Sequence, residues 1–291
     1  MKSAKNCQAK KDLLAHAKKD NLSIAQLVLA NEVAVSGKSE AEIFAFLDKI
    51  QNAMVSIVKT GLAAPTATLP GPIKLKTKAG EVYKRAMDDE YEKQRGLGVV
   101  SAYALAGSEE NARGHLVVTA PTGGSAGVIP AIVYSLGEGG RKLPPEKIRE
   151  GLLAAAVIGY LCKHNATLAG AEGGCQAEIG VASAMGAALI AEAHGFDPQV
   201  IANSAESSLQ HHLGMTCDPV AGFVQVPCIE RCAYGAVKAW TGFMIASNEI
   251  PADRRLDFDT TVTAMALTAK EMNSKYKETS EGGLAVSVVL C

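Results

Sequence analysis

The chain has 291 residues, 48% of them apolar, and sets 29 basic side chains against 30 acidic ones. That apolar share supports a sizeable core and excludes a disordered chain. The near-zero net charge excludes a basic field for nucleic acid or a polybasic patch for anionic lipid, which leaves small molecules and other proteins as partners.

Aromatics make up only 5% of the residues, Ala and Gly are abundant, and alternating β-branched runs are scarce. The expected fold is mainly α, a compact helical domain packed through small residues with few or no strands. The opening MKSAKNCQAKKDLLAHAKKDN is charged throughout and lacks the apolar region of an export signal. The apolar window VASAMGAALIA falls short of the roughly 20 residues a membrane span needs. A cytoplasmic protein is expected. Seven cysteines, at 7, 162, 175, 217, 228, 232 and 291, are an odd number. With no export signal they argue against a disulfide framework and leave core, nucleophile or metal-ligand roles.

Along the chain, residues 1–61 read as N-terminal helices. The clearest is SEAEIFAFLDKIQNAMVSIVKTG, with a capping box in Ser39 and Glu42, an apolar stripe from Ile43 to Ile57, and Gly61 as its expected terminator. Residues 62–87 are rich in Pro and Gly and read as a linker. Residues 88–279 form the core of the single domain, 1–291. Its first helix, DDEYEKQRGLGVVSAYALAG, is expected to end near Gly107, and HLVV beyond it is the one short β-like run. A tight turn, TAPTGGSAG, then leads into a helix. Further helices are predicted in LPPEKIREGLLAAAVIGYLCKHN, CQAEIGVASAMGAALIAEAHG, DPQVIANSAESSLQHHLG, PCIERCAYGAVKAWTGFMIASN and DFDTTVTAMALTAKEMNSKY. Residues 280–291 form a C-terminal tail.

Cys175 follows AGAEGG at the start of a helix, Cys217 precedes an Asp-Pro turn signal, and Cys228 follows Pro227 at another helix start. Element ends favour a thiolate through helix dipoles and free N–H groups. Cys162 and Cys232 lie within apolar helical stretches and read as core, and Cys7 as a surface thiol. Three such thiolates suggest either a [4Fe–4S] cluster with one iron lacking a protein ligand or a zinc site with an open position.

The segments NATLAGAEGGCQAEIGVASAMGAA, LGMTCDPVAGFVQVPCIERC and VTAPTGGSAGVIPA, with the terminal GGLAVSVVLC, resemble the iron–sulfur-dependent L-serine dehydratases, in the form of their separate alpha subunit. The resemblance implies that Cys175, Cys217 and Cys228 ligate a [4Fe–4S] cluster, that L-serine is the substrate, and that a beta subunit completes a heteromer. Such a cluster would act as a Lewis acid at the serine hydroxyl, giving pyruvate and ammonia by β-elimination. The stretch 119–127 is the candidate carboxylate cradle. Thr119, Thr122 and Ser125 offer hydroxyls, and Gly123, Gly124 and Gly127 let backbone N–H groups approach an anion. The same residues also suit a purely structural turn.

The general base is unassigned in this chain and is expected on the partner. His164 is a candidate, as are Lys163 and Glu172, and at most one of the adjacent His211 and His212 can face the site. Cys291 combines a thiol with an α-carboxylate and so mimics serine. It is expected to act as an exchangeable fourth ligand, with Gly282 and Gly283 as the hinge and the apolar LAVSVVL lining the entry. Two alternatives stand beside this reading. One is a pyridoxal-phosphate dehydratase using PTGGSAG as a phosphate cradle, and the other a non-catalytic helical subunit.

Overall fold

Capping chemistry decides where the helices begin. In the computed structural model, which describes residues 7–288, Ser23 and Ser39 each form a full capping box, with Gln26 and Glu42. Asp197 and Asp257 accept from the first-turn N–H groups of the helices that follow them. Thirteen helices result among the described residues. They are α1 Lys10–Asp20, α2 Ile24–Ser36, α3 Glu40–Ala63, α4 Ala79–Ala86, α5 Arg95–Ala112, α6 Val128–Leu136 and α7 Pro145–Asn165. Then come α8 Gly170–Gly173, α9 Val181–Ala193, α10 Pro198–Gln210, α11 Cys228–Ala246, α12 Phe258–Glu271 and α13 Leu284–Ser287. No strand occurs among the described residues, only two isolated bridges, Thr68 with Lys76 and Cys217 with Lys277.

The mainly α fold is therefore as expected, with differences in detail. Residues 115–119, the β-like run, are irregular, and Leu116 stands exposed. With no neighbouring strand to pair with, alternation alone does not make one. Within the stretch read as a linker, residues 79–86 coil into α4, which packs on α3 and α5. Gly61 and Gly107 do not stop their helices. A Cβ at Gly61 would lie 2.6 Å from the Ala106 carbonyl oxygen, and one at Gly107 would lie 3.1 Å from Gly127 Cα. Both glycines serve close crossings, the first between α3 and α5 and the second between α5 and the 119–127 loop.

The core is built around α9, every residue of which is buried. The apolar window VASAMGAALIA is this central helix, which is why it is apolar on all sides. It packs against α6, α7, α10 and α11, and small residues permit the approach. A Cβ at Gly151 of α7 would stand 2.7 Å from the Leu189 carbonyl oxygen, and one at Gly186 of α9 3.1 Å from the Ala239 Cβ. No helix is long and apolar enough to cross a membrane among the described residues.

Candidate metal centre

At its N-terminal end α9 continues backward into a π-turn, Gln176–Gly180, with Cys175 in the preceding position. Wide π-turns of this kind recur at functional sites. Gly174 (φ +73°), whose Cβ would lie 2.6 Å from the Met215 carbonyl oxygen, lets the chain enter this turn tightly. Cys217 sits in the loop after α10. Its N–H donates to the Tyr276 carbonyl at 2.8 Å, and its carbonyl accepts from the Glu278 N–H at 2.6 Å. Cys228 is the first residue of α11. All three cysteines are buried.

The structure brings Cys175 and Cys217 together from separate parts of the chain. The Sγ atoms of Cys175 and Cys217 and a carboxylate oxygen of Glu178 lie within 4.8 Å of one another. Cys228 is not part of that group, though it lies close enough to interact electrostatically with Cys175 and Cys217. Arg231, one turn beyond Cys228, hydrogen-bonds to Cys175. It also donates to the Thr216 carbonyl at 2.6 Å and to Asp218 Oδ1 at 3.1 Å. Cys175 is held below the ordinary thiol range by the hydrogen bond from Cys217 and by the Arg231 charge, against the cost of burial. That same bond and burial push Cys217 up, and burial pushes Cys228 up, followed by the charge on Cys175. Burial opposes the charge on Arg231, but Cys175 and Asp218 outweigh it. The result is a thiol whose ionisation is favoured beside a fixed cation, with two thiols next to it whose ionisation is opposed. Soft sulfur donors of this kind suit zinc or an iron–sulfur group, and the donor set fits either.

The 119–127 loop closes one side. Its Thr122 hydroxyl donates to Glu178 Oε1 at 2.7 Å, and its Gly123 carbonyl accepts from Asn111 Nδ2 at 2.9 Å. Ser125 is fully buried, and its hydroxyl is folded back on Thr122. Both hydroxyls are thus engaged within the protein, while Thr119 is exposed. Thr122, Ala126 and Val128 spend their N–H groups inside the loop. Those of Gly123, Gly124 and Ser125, three in succession, meet no protein acceptor among the described residues, and a Cβ on Gly123 would face open space. Consecutive amides of this kind form an anion-binding nest. A Cβ on Gly127 would overlap Ser108 Oγ, so this glycine serves the crossing with α5.

Of the other sulfurs, Cys162 is buried in the last turn of α7, a core residue as expected. Cys232 is buried too, but its thiol donates to the Gly124 carbonyl at 3.3 Å, and burial pushes its pKa up to about 11. It pins the loop as a neutral thiol. His164 is exposed and stacks on Tyr160, and no hydrogen bond joins it to the cysteine group. Lys163 is exposed, and Glu172 accepts from Thr167. Of the two adjacent histidines, His212 is buried and His211 exposed. Cys291 lies outside the described residues.

The tail is anchored near Cys217. Asp218 Oδ2 accepts from the Leu284 N–H at 2.6 Å, and Ser280 Oγ donates to the Pro219 carbonyl at 2.6 Å. Gly283 (φ +60°) is required because a Cβ there would overlap the Asp218 carboxylate. Leu284, Val286 and Val288 are exposed. Sequence reasoning missed Glu178, Asp218 and Arg231. Each lies within three residues of a cysteine, in CQAE, CD and CIER, and that proximity was the available signal.

Fold and site together define an all-helical protein built around a buried centre of thiols and one carboxylate, closed on one side by a glycine-rich loop. The family model described as the serine dehydratase alpha chain matches residues 19–285, and the chain belongs to that family. It is 41% identical over 281 residues to the L-serine dehydratase of Haemophilus influenzae, covering 96% of this chain and 61% of that protein. It is 39% identical over 280 residues to the L-serine dehydratase of Streptomyces coelicolor (96% and 61%) and 40% identical over 279 residues to that of Helicobacter pylori (94% and 60%). The chain spans about three fifths of the length of these relatives.

Proposed function

We propose that this chain is the alpha subunit of an L-serine dehydratase, converting L-serine to pyruvate and ammonia, and that Cys175, Cys217 and Cys228 hold a [4Fe–4S] cluster. The observation that carries this reading is the meeting of buried Cys175 and Cys217, distant in sequence, beside Glu178, with Cys228 and Arg231 close by, in a chain of the serine dehydratase alpha family. When bound, the cluster supplies Lewis acidity at the serine hydroxyl, a poor leaving group otherwise. Cys217 and Arg231 both lower the Cys175 pKa, which favours its ligation. The Gly123, Gly124 and Ser125 N–H groups receive the substrate carboxylate, and their carrier loop is pinned by Asn111, Cys232 and Glu178.

The α-proton is taken by a base outside this chain, on a beta subunit equivalent to the further two fifths of the relatives. The tail, anchored at Asp218, offers Cys291 as an exchangeable fourth ligand in the absence of serine. Cys162, Cys175, Cys217, Cys228 and Cys232 are buried thiols outside any disulfide, which suits a reducing compartment such as the cytoplasm. The contacts of the 119–127 loop are with Glu178, Asn111, Ser108 and Cys232, with no lysine to form a Schiff base, which weighs against a pyridoxal-phosphate enzyme.

Anaerobic purification with and without the beta subunit tests this reading. Expected are about four irons and four sulfides per chain, serine deamination that needs the partner, and loss of iron in each of Cys175→Ala, Cys217→Ala and Cys228→Ala. A colourless, iron-free chain, or activity abolished by hydroxylamine with removal of an organic cofactor, would overturn it.

A further inference from the structure

Two parts of the centre meet at a single side chain. Glu178 is buried to 9% exposure, and none of the ion pairs among the described residues includes it. One carboxylate oxygen accepts from the Thr122 hydroxyl at 2.7 Å, and the other lies 3.9 Å from Cys217 Sγ. Two glycines make room for it. A Cβ on Gly124 would stand 3.0 Å from both carboxylate oxygens, and one on Gly170 would stand 2.7 Å from Oε2. Burying a carboxylate without a cation is costly, so its persistence here calls for a role.

We propose that Glu178 is a positioning residue that ties the 119–127 loop to the cysteine site and so sets the distance between the bound carboxylate and the reacting centre. This rests on the function proposed above. The bond to Thr122 is the only hydrogen bond between a loop side chain and the π-turn among the described residues. It uses the Thr122 hydroxyl hydrogen, which leaves the loop's three unpartnered N–H groups as the donors for an anion. The task needs an acceptor at Oε1 and does not need a negative charge. Glutamine, of nearly the same shape, keeps that acceptor, whereas alanine removes it.

The test compares Glu178→Gln, Glu178→Ala, Thr122→Val and the Ala/Val double variant in the holoenzyme with its partner. Readouts are iron per chain, kcat and KM for L-serine, and hydrogen–deuterium exchange of peptides covering 119–127. Loss of one buried hydrogen bond should speed exchange in the loop about tenfold in either single variant. A displaced substrate should lower kcat/KM by roughly 10- to 100-fold with iron retained. The double variant should be no worse than the worse single one, because both remove the same bond. Glu178→Gln should stay within about threefold of the parent.

Multiplicative losses, unchanged loop exchange, or a Glu178→Gln variant as inactive as Glu178→Ala would overturn the proposal, the last by making Glu178 a proton-transfer group. If Glu178→Ala loses iron, Thr122→Val decides alone. It must loosen the loop and lower kcat/KM with iron intact, and failure on either count overturns the proposal. Exchange is read whether or not serine is turned over. A parent inactive on serine therefore counts against the proposed function, and unaltered exchange counts against the role of Glu178.

Discussion

Charged side chains that are close in sequence to one cysteine of the centre act on another or on the tail. Arg231 faces Cys175, and Asp218 in turn orients Arg231 while holding the Leu284 N–H. Asp218→Ala should therefore release the tail and loosen the guanidinium together. Faster exchange is expected in peptides covering residues 274–288, along with earlier thiol alkylation at Cys175, both measurable by mass spectrometry. Arg231→Lys should not restore the site, because an ammonium cannot reach Thr216, Asp218 and Cys175 with a planar fork. The cysteines were legible in the sequence because each stands at an element end. The neighbours were not, because their importance depends on the loop after α10 folding back over α11, and no local pattern encodes that.

Helix boundaries were legible where capping chemistry is local, as at Ser39 and Asp197. They were misread where a glycine serves a crossing, as at Gly61 and Gly107, since a glycine that ends a helix and one that admits a neighbour look alike in sequence. Gly242 tests this distinction. A Cβ there would overlap Ser208 Oγ and lie 3.0 Å from the Ser204 carbonyl oxygen, where α11 crosses α10. Gly242→Val should cost about 1–3 kcal/mol through overpacking, seen as a lower denaturation midpoint. Ser39→Ala, which removes one capping box at an exposed end, should cost about 1 kcal/mol. If Gly242→Val proves neutral, the crossing is looser than described.

At the scale of the whole molecule, stability should fall with acid in a way traceable to one residue. His212 is buried, its Nδ1 lies 2.7 Å from the Ser208 carbonyl and its Nε2 is unpartnered. Burial, with the charges of Lys238 and His211, lowers its pKa to about 4. Between that value and the ordinary 6.5, the unfolded chain binds a proton that the folded one refuses. Stability is therefore unaffected above 6.5 and declines as the pH falls toward 4, by up to ~1.4 kcal/mol per pH unit. His212→Gln should flatten that decline in denaturation curves taken between pH 7 and 4. An unchanged slope would assign the acid sensitivity elsewhere.

Among the described residues the backbone of Cys217 hydrogen-bonds to residues 276 and 278, and its neighbour Asp218 binds the N–H of residue 284 as well as Arg231. This imposes an order of events during synthesis. A nascent chain can have all three cysteines out and most of its helices wound, yet the backbone of Cys217 lacks both of its hydrogen-bond partners until the segment 276–284 arrives. A chain halted at residue 272 should fold its helices and leave Cys217 open to a thiol reagent that the longer chain resists. The centre is in this sense a completion check, sealed only after the rest of the described chain has been made.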